Sequence, residues 1–420
     1  MHYIVHKFGG TSLQDAHKIG MAADRVVESW TAARQTHGDV KGVVVVSAMG
    51  RFTNELVGYV EACGRASYDV GEYDVVVSSG EQVTSGLMAL ALSCRGLSSQ
   101  SLQGWQVPIN TDNRHGKARI LSISKEKLED VWKEKDIVVI PGFQGVCPSG
   151  RITTLGRGGS DTTAVAMAVA VGASSCTIFT DVRGIYTADP RFIPQARRID
   201  HIAYEEMLEL ASLGSKVLHA RSVELAMRYH IPIHLRSTFD RERGTWIMEE
   251  ESALVESPTV RAVALEDHEA KLTLLGVANR PGVACAIFKK LSERDISVDM
   301  IVQNIAEDGK TTSVTFTVSR EDLAQSKKII EQERPTINYR GFLTDDHVAK
   351  VSIVGIGMRN HAGIASRAFQ ALAEHNINIH VISTSEIKIS LLIAKDRGTE
   401  AVHALHHAFH LEQASDHGRQ

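Results

Sequence analysis

No C-x-x-C pair occurs among the five cysteines, Cys63, Cys94, Cys147, Cys176 and Cys285. They are scattered and odd in number, which argues against a disulfide scaffold or a zinc site and for reduced thiols in the cytoplasm. Cys176 lies in an apolar strand pattern and reads as a core residue. There is no basic surplus: 46 Lys and Arg against 50 Asp and Glu give a net charge of −4. Nucleic acid or an acidic membrane would require a positive footprint that is missing. No uninterrupted apolar run reaches the about 18 residues of a transmembrane helix. The N-terminus enters a strand pattern at once and lacks a signal-peptide pattern. The common phosphate loop, G-x-x-x-x-G-K-[ST], is also missing. What remains is 43% hydrophobic and 23% charged residues in a chain of 420, the composition of a soluble globular protein of two or three domains.

Two glycine-rich turns stand in place of that loop. Lys7-Phe8-Gly9-Gly10-Thr11-Ser12 follows the apolar run Tyr3, Ile4, Val5 and reads as strand, turn, helix. Such a turn aims backbone N–H groups and a helix N-terminus at an anion, with a lysine beside them, and a phosphate is the natural occupant. Alone, it is weak evidence, and a tight turn that uses glycine for its conformational freedom explains it as well or better. The second run, Leu155-Gly156-Arg157-Gly158-Gly159-Ser160-Asp161-Thr162-Thr163-Ala164, opens an apolar helix. Two such turns in one fold suggest one pocket for two charged ligands.

Residues 1–245 alternate strand and helix patterns. Strands are expected at 3–7, 42–47, 137–141, 175–180 and 232–235, and helices at 15–33, 81–92, 160–171, 204–212 and 222–229. The apolar run Val43–Val46 lacks alternation, as a strand buried on both faces should. The pattern predicts an α/β domain, a mostly parallel sheet sandwiched by helices, with ligands at the carboxyl ends of its strands. A polar stretch follows and reads as a linker over 246–258. Beyond it the sequence repeats at 81 residues: Gly282 matches Gly363, Phe288 matches Phe369, Leu291 matches Leu372 and Ile301 matches Ile382. Each unit reads strand, helix, strand, strand, helix, a ferredoxin-like βαββαβ arrangement. The units span 259–345 and 346–420.

The two turns, with Ser79-Gly80-Glu81-Gln82, Gly142-Phe143-Gln144-Gly145, Thr180-Asp181-Val182, Tyr186-Thr187-Ala188-Asp189-Pro190-Arg191 and Gly214-Ser215-Lys216-Val217-Leu218-His219, resemble the aspartate kinases of the amino acid kinase family. The repeated units are similar to paired ACT domains, which bind amino acids. In the family the first module is inserted into the second, so residues 259–266 are expected to pack with the second. The resemblance implies phosphoryl transfer from ATP to the side-chain carboxylate of L-aspartate, with Mg²⁺ bridging ATP oxygens. It assigns Lys7, Arg157 and Asp161 to catalysis. Substrate contacts fall on Thr53, Glu81, Arg157 and Ser160, with Glu81, expected to open a helix, on the substrate ammonium. Nucleotide contacts fall on Lys7, Gly9, Gly10, Ser47, Thr180, Asp181, Tyr186, Asp189, Arg191 and Lys216. One departure is Ala220, where the family usually has proline.

The resemblance further implies feedback by lysine, threonine or both. Effector positions are Asn279, Gly282, Val283, Ala284, Gln303, Asn378 and Ile379, with Asn279 standing where the family usually has aspartate. Unpaired edges of the ACT sheets imply a homodimer or larger homo-oligomer. Two readings compete: an amino-acid sensor on an inactive kinase fold, and a kinase of the same fold acting on glutamate or a nucleotide. No metal site is expected. His403, His406, His407 and His410 share a helix at spacings that can bind zinc, but read as a solvated face.

Overall fold

The computed structural model describes residues 1–64, 68–213, 217–250, 259–307, 309–361 and 363–413. The chain forms two compact units, Met1–Ile185 with Arg198–Ala253, and Tyr186–Arg197 with Leu254–Gln420.

The first unit is built on eight strands: β1 (His2–Phe8), β2 (Val40–Val46), β3 (Ser99–Ser101), β4 (Ile137–Pro141), β5 (Cys176–Thr180), β6 (His201–Ala203), β7 (Ile233–Ser237) and β8 (Thr245–Met248). Their order is β6-β8-β7-β5-β1-β2-β4-β3. All neighbours run parallel except β7 and β8. Val43, Val44, Val45 and Val46 are buried, as the unbroken apolar run predicts. The longer helices are α1 (Ala16–His37), α2 (Phe52–Cys63), α3 (Val70–Ser93), α4 (Gly159–Val171), α5 (Tyr204–Ser212) and α6 (Ala220–Arg228), and a short helix covers Glu126–Trp132. A small second sheet joins Ile109–Thr111, Ile120–Ile123, Gln144–Val146 and Ile152–Thr154.

Two sequence expectations are corrected in this unit. The linker expected from residue 246 begins later, because β8 occupies Thr245–Met248 and buries Ile247 between β6 and β7. The helix expected to begin at Glu81 begins at Val70. Ser78, Ser79 and Gly80 resemble a break, yet one glycine inside a helix costs only about 1 kcal/mol and tertiary packing overrides it. Over its 24 residues α3 is also long and apolar enough to cross a membrane by composition. In the fold it packs on the sheet, and its Asp74 and Glu81 bond to protein groups.

The second unit holds two antiparallel sheets. The first module runs β10 (Glu269–Ala278), α7 (Val283–Ser292), β11 (Val298–Ile305), β12 (Thr311–Ser319), α8 (Leu323–Gln332) and β13 (Gly341–Asp345), in strand order β11-β12-β10-β13. The second runs β14 (Val348–Val354), α9 (Ile364–Glu374), β15 (Ile379–Thr384), β16 (Lys388–Ala394) and α10 (Gly398–Ala408). Its fourth strand comes from upstream: β9 (Ala262–Glu266) pairs antiparallel with β14, giving β9-β14-β16-β15. Both modules thus have the ferredoxin-like order, and the strand expected to pack with the second module does so. The repeat extends to conformation, since Gly282 and Gly363 start α7 and α9 with φ of 90° and 94°. It also places Glu269 and Lys350 at equivalent positions, where they pair at 3.0 Å with Lys350 buried. Asp299 is the second partner of Lys350.

Segment 186–197 departs from the expected continuous domain over 1–245. Its Ala188 and Ile193 join the buried core made by Val260, Val351, Leu391 and Leu405. The Val263 amide donates to the Thr187 carbonyl at 2.8 Å, and Arg197 Nε donates to the Leu411 carbonyl at 3.0 Å. His406 is corrected here too. It is buried rather than solvated, with Nε2 2.9 Å from Thr187 Oγ1, while His403 and His407 are exposed. Its five hydrophobic residues, Tyr186, Ala188, Phe192, Ile193 and Ala196, are interrupted by Pro190 and Pro194, so no helix or strand pattern marks the segment as core in the sequence. Ile193 is 1% exposed, so Ile193→Ala should cost about 2–5 kcal/mol. Hydrogen exchange should register the loss in β14 and β16. Unchanged protection there, with faster exchange only in β1 and β2, would show that the segment does not belong to this core.

Candidate functional site

Four adjacent strands, β5, β1, β2 and β4, are parallel and end together. Their ladder continues into the turns beyond. The Gly9 amide donates to the Phe179 carbonyl at 3.2 Å, Ser47 to Phe8 at 3.1 Å and Gly142 to Val46 at 2.9 Å. Lys7 lies near the end of β1, in register with Val45 and Ile178. Its Nζ reaches Asp161 Oδ1 at 2.6 Å, with both side chains 11% exposed. Asp161 sits in the first turn of α4, where the helix N-terminus favours negative charge. The pair therefore places one cation and its compensating anion at the strand ends.

The turn that carries Arg157 is set by close packing. Gly156 and Gly158 have φ of 77° and 68°, a region that favours glycine. A Cβ on Gly158 would stand 2.1 Å from His219 Cβ, and one on Gly142 2.7 Å from Ser160 Cβ. Ser160 is thus wedged over the end of β4. Arg157 lies exposed and makes no hydrogen bond or ion pair among the described residues.

Glu81 reaches the strand ends from the middle of α3. A Cβ on Gly80 would stand 2.9 Å from Ala48 Cβ, so only glycine lets the helix lie this close. The Ala48 amide then donates to Glu81 Oε1 at 3.1 Å. Oε2 is buried with no hydrogen-bond partner among the described residues. Burial pushes the Glu81 carboxyl from 4.5 up to about 7, against the pull of the Ala48 amide. A buried, half-satisfied acid of this kind lacks a donor, and a cation would supply one.

The remaining predicted positions are distributed as follows. Gly10 packs on the turn after β2, where a Cβ would meet the Ala48 carbonyl oxygen at 3.0 Å. Ser47 directly follows β2, and Thr53 lies in the first turn of α2. Thr180 ends β5, and its hydroxyl donates to Asp181 Oδ1 at 3.0 Å. Tyr186, Asp189 and Arg191 lie in the segment that packs with the second unit; Arg191 Nη2 binds Asp189 Oδ2 at 2.6 Å. Lys216 lies outside the described residues. In the second unit, Asn279, Gly282, Val283 and Ala284 form the turn into α7. Gln303 is exposed on β11, and Asn378 precedes Ile379 at the start of β15. Both strands are sheet edges.

Sequence reasoning missed Asp74. It is fully buried on α3 and accepts from Thr154 Oγ1 at 2.5 Å, His115 Nδ1 at 2.8 Å and the Gly116 amide at 3.0 Å. These bonds tie α3 to the strand leading into the Arg157 turn. Asp74 heads the apolar run Val75, Val76 and Val77, and that was the available signal, since an acid buried with such a run requires partners.

Residues 2–237 match the model of the Amino acid kinase family, and residues 271–335 and 351–409 each match an ACT domain. The chain belongs to the aspartate kinases of this family. The aspartokinase of Pseudomonas aeruginosa is 48% identical over 419 residues, covering 100% of both chains. E. coli aspartokinase III, solved in complex with aspartate and ADP in its R-state, is 28% identical with a TM-score of 0.79, over 97% of this chain and 99% of that one. The same enzyme, solved with lysine and aspartate in its T-state, is 27% identical with a TM-score of 0.76 over the same shares.

The Glu81 carboxyl has a stability signature in the ligand-free protein. Between 4.5 and about 7 the folded protein holds a proton that the unfolded chain has released. Stability contributed by this group is therefore intact below that window and falls as pH rises through it. Glu81→Gln should remove this loss and gain roughly 3 kcal/mol on the parent at pH 8 relative to pH 4. Urea denaturation at both pH values measures it, and a difference independent of pH would rule out burial of the charge as the cause.

Proposed function

We propose that the chain transfers the γ-phosphate of ATP to the side-chain carboxylate of L-aspartate, giving ADP and 4-phospho-L-aspartate, at the carboxyl ends of β5, β1, β2 and β4. This is the first step toward lysine, threonine and methionine, in the cytoplasm. The observation that carries the reading is the Lys7–Asp161 pair, a cation held at the central strand end inside a glycine-rich turn. The complex of E. coli aspartokinase III with aspartate and ADP supports the choice of ligands.

The nucleophile is a carboxylate already ionised at neutral pH, so no general base is needed. Catalysis reduces to positioning and to stabilising charge on the moving phosphoryl group. Lys7 faces the transferred phosphoryl group, with Asp161 fixing its ammonium. Gly9 and Gly10 let backbone approach the phosphates, and Ser47, Thr180 and Asp181 complete the nucleotide side. Glu81 Oε2 takes the aspartate ammonium, Arg157 grips a carboxylate through its fork, and Thr53 and Ser160 line the same end. An ammonium at Glu81 favours the ionised carboxyl, so aspartate binding near pH 7 releases a proton. Among the described residues no three His, Cys, Asp or Glu side chains cluster as a metal cage. That fits Mg²⁺, which is bound through one or two carboxylates and substrate phosphates. Asp161 and Asp181 would hold it, and the ion would neutralise phosphate charge.

Regulation falls to the ACT modules, through lysine, threonine or both, with the effector carboxylate at the amide groups of the Asn279–Ala284 turn. The E. coli enzyme solved with lysine supports an amino-acid effector. Edge strands β11 and β15 leave Ile301, Ile305 and Ile382 exposed at 50%, 64% and 44%. These support a homodimer that brings Gln303 of one copy to Asn378 and Ile379 of the other.

Lys7→Ala should lower kcat at least ~100-fold in protein that still folds, though it is less stable because Asp161 is left without its cation. A coupled ADP-release assay with aspartate, glutamate and N-acetylglutamate checks both residue and substrate; activity within tenfold of the parent would remove Lys7 from the role. Repeating the assay with lysine and threonine, alone and together, tests regulation. Asn279→Asp should tighten inhibition by adding a charged partner, about 1.5–3 kcal/mol against roughly 1 for a neutral one. No inhibition of the parent by either amino acid at ~10 mM would make the modules structural, since a dissociation constant of about 1 mM already marks weak binding.

A further inference from the structure

Arg157 has no partner of its own among the described residues, and it stands between two glycines in left-handed conformation. Something else must fix its turn. Two residues at the N-terminus of α6 meet that need. His219 packs on Gly158, and Arg221, two positions on, spreads its guanidinium between two backbone segments. Nη1 donates to the Leu155 carbonyl at 2.8 Å and Nη2 to the Ala118 carbonyl at 2.9 Å. Leu155 is the residue from which the glycine-rich turn departs. Ala118 is its neighbour across a backbone bond, since the Ala118 amide donates to the Thr154 carbonyl at 2.8 Å. Both residues are buried, at 2% and 0% exposure. His219 Nδ1 accepts from the Arg221 amide at 3.3 Å, so the two braces are coupled.

We propose that Arg221 is a positioning residue for the aspartate site: its fork on Leu155 and Ala118 sets the turn that presents Arg157. The inference rests on Arg157 holding aspartate. The fork spans two carbonyls from one planar group, which a lysine ammonium cannot reproduce. Without it the root of the turn has one bracing side fewer, and the apex arginine loses its fixed direction toward the substrate carboxylate. Nothing in the contact touches the nucleotide candidates on β1, β2 or β5, so the effect should be confined to one substrate.

The experiment uses the full-length enzyme with Arg221→Ala, Arg221→Lys and, in parallel, Arg157→Lys. Arg221→Ala should raise aspartate KM roughly tenfold or more, with ATP KM within about twofold. Arg221→Lys, which can engage one carbonyl, should fall between. Millimolar guanidinium chloride, far below denaturing concentration, should restore much of the aspartate KM of Arg221→Ala by refilling the fork, and methylammonium should restore less. Equal rises in both KM values, or no rescue by guanidinium, would reduce Arg221 to a general structural role and overturn the inference. If Arg221→Ala does not fold, Arg221→Lys decides on the same KM split. Should Arg157→Lys move aspartate KM while the Arg221 variants do not, the inference alone fails. Should Arg157→Lys spare aspartate KM, the substrate assignment of Arg157 and this inference fall together.

Discussion

One ion pair, Lys7 with Asp161, governs how the catalytic unit is arranged. A buried pair of this kind adds little net stability, because desolvation offsets most of its attraction, yet removing one partner leaves an uncompensated charge. Its value is in placement. Lys7 belongs to the central strand and Asp161 to the first turn of a helix laid across the strand ends. Everything around the pair then has to approach closely. Gly142 admits Ser160, Gly158 admits His219, and Gly80 admits the α3 backbone to Ala48. Each of these contacts fails with a single added methyl group.

Glu81 illustrates the converse situation. No cation among the described residues pairs with it, and burial pushes the carboxyl up to about 7. The ligand-free fold therefore keeps one position destabilised at working pH, which the arrival of an ammonium relieves. Local strain of this sort is expected where binding must be selective for charge. The two acids divide the work by environment: Asp161 has its cation built in, whereas Glu81 waits for one from the substrate.

Much of this was legible in the sequence, for physical reasons. Val43–Val46 reads as a doubly buried strand because it lacks any polar residue, and the 81-residue repeat reads as two modules because glycines and apolar positions recur together. Lys7, Arg157 and Asp161 stand in glycine-rich runs that few other turns require. The extent of α3 was not legible, since its Ser-Ser-Gly centre resembles a terminus until Ala48 packs on it. Nor was the role of Thr245–Met248, whose apolar run of only three residues is masked by polar flanks. Asp74 and Arg221 act through backbone groups distant in sequence, at Gly116, Ala118 and Leu155, and no local pattern announces such partners. The core contribution of Ala188 and Ile193 depends on a second unit whose strands begin some seventy residues later.

The pairing of Glu269 with Lys350 carries a consequence for how modules choose neighbours. The two residues occupy the same place in successive repeats, so the first module presents an acid where the second presents a base. Had the repeats kept identical residues there, the contact would juxtapose like charges in a buried setting, at a cost of several kcal/mol. A first module facing another first module would meet acid with acid, and two second modules would meet base with base. The charge difference at one repeated position thus makes unlike modules compatible across this contact and like ones incompatible, a form of mating type written into a duplicated domain.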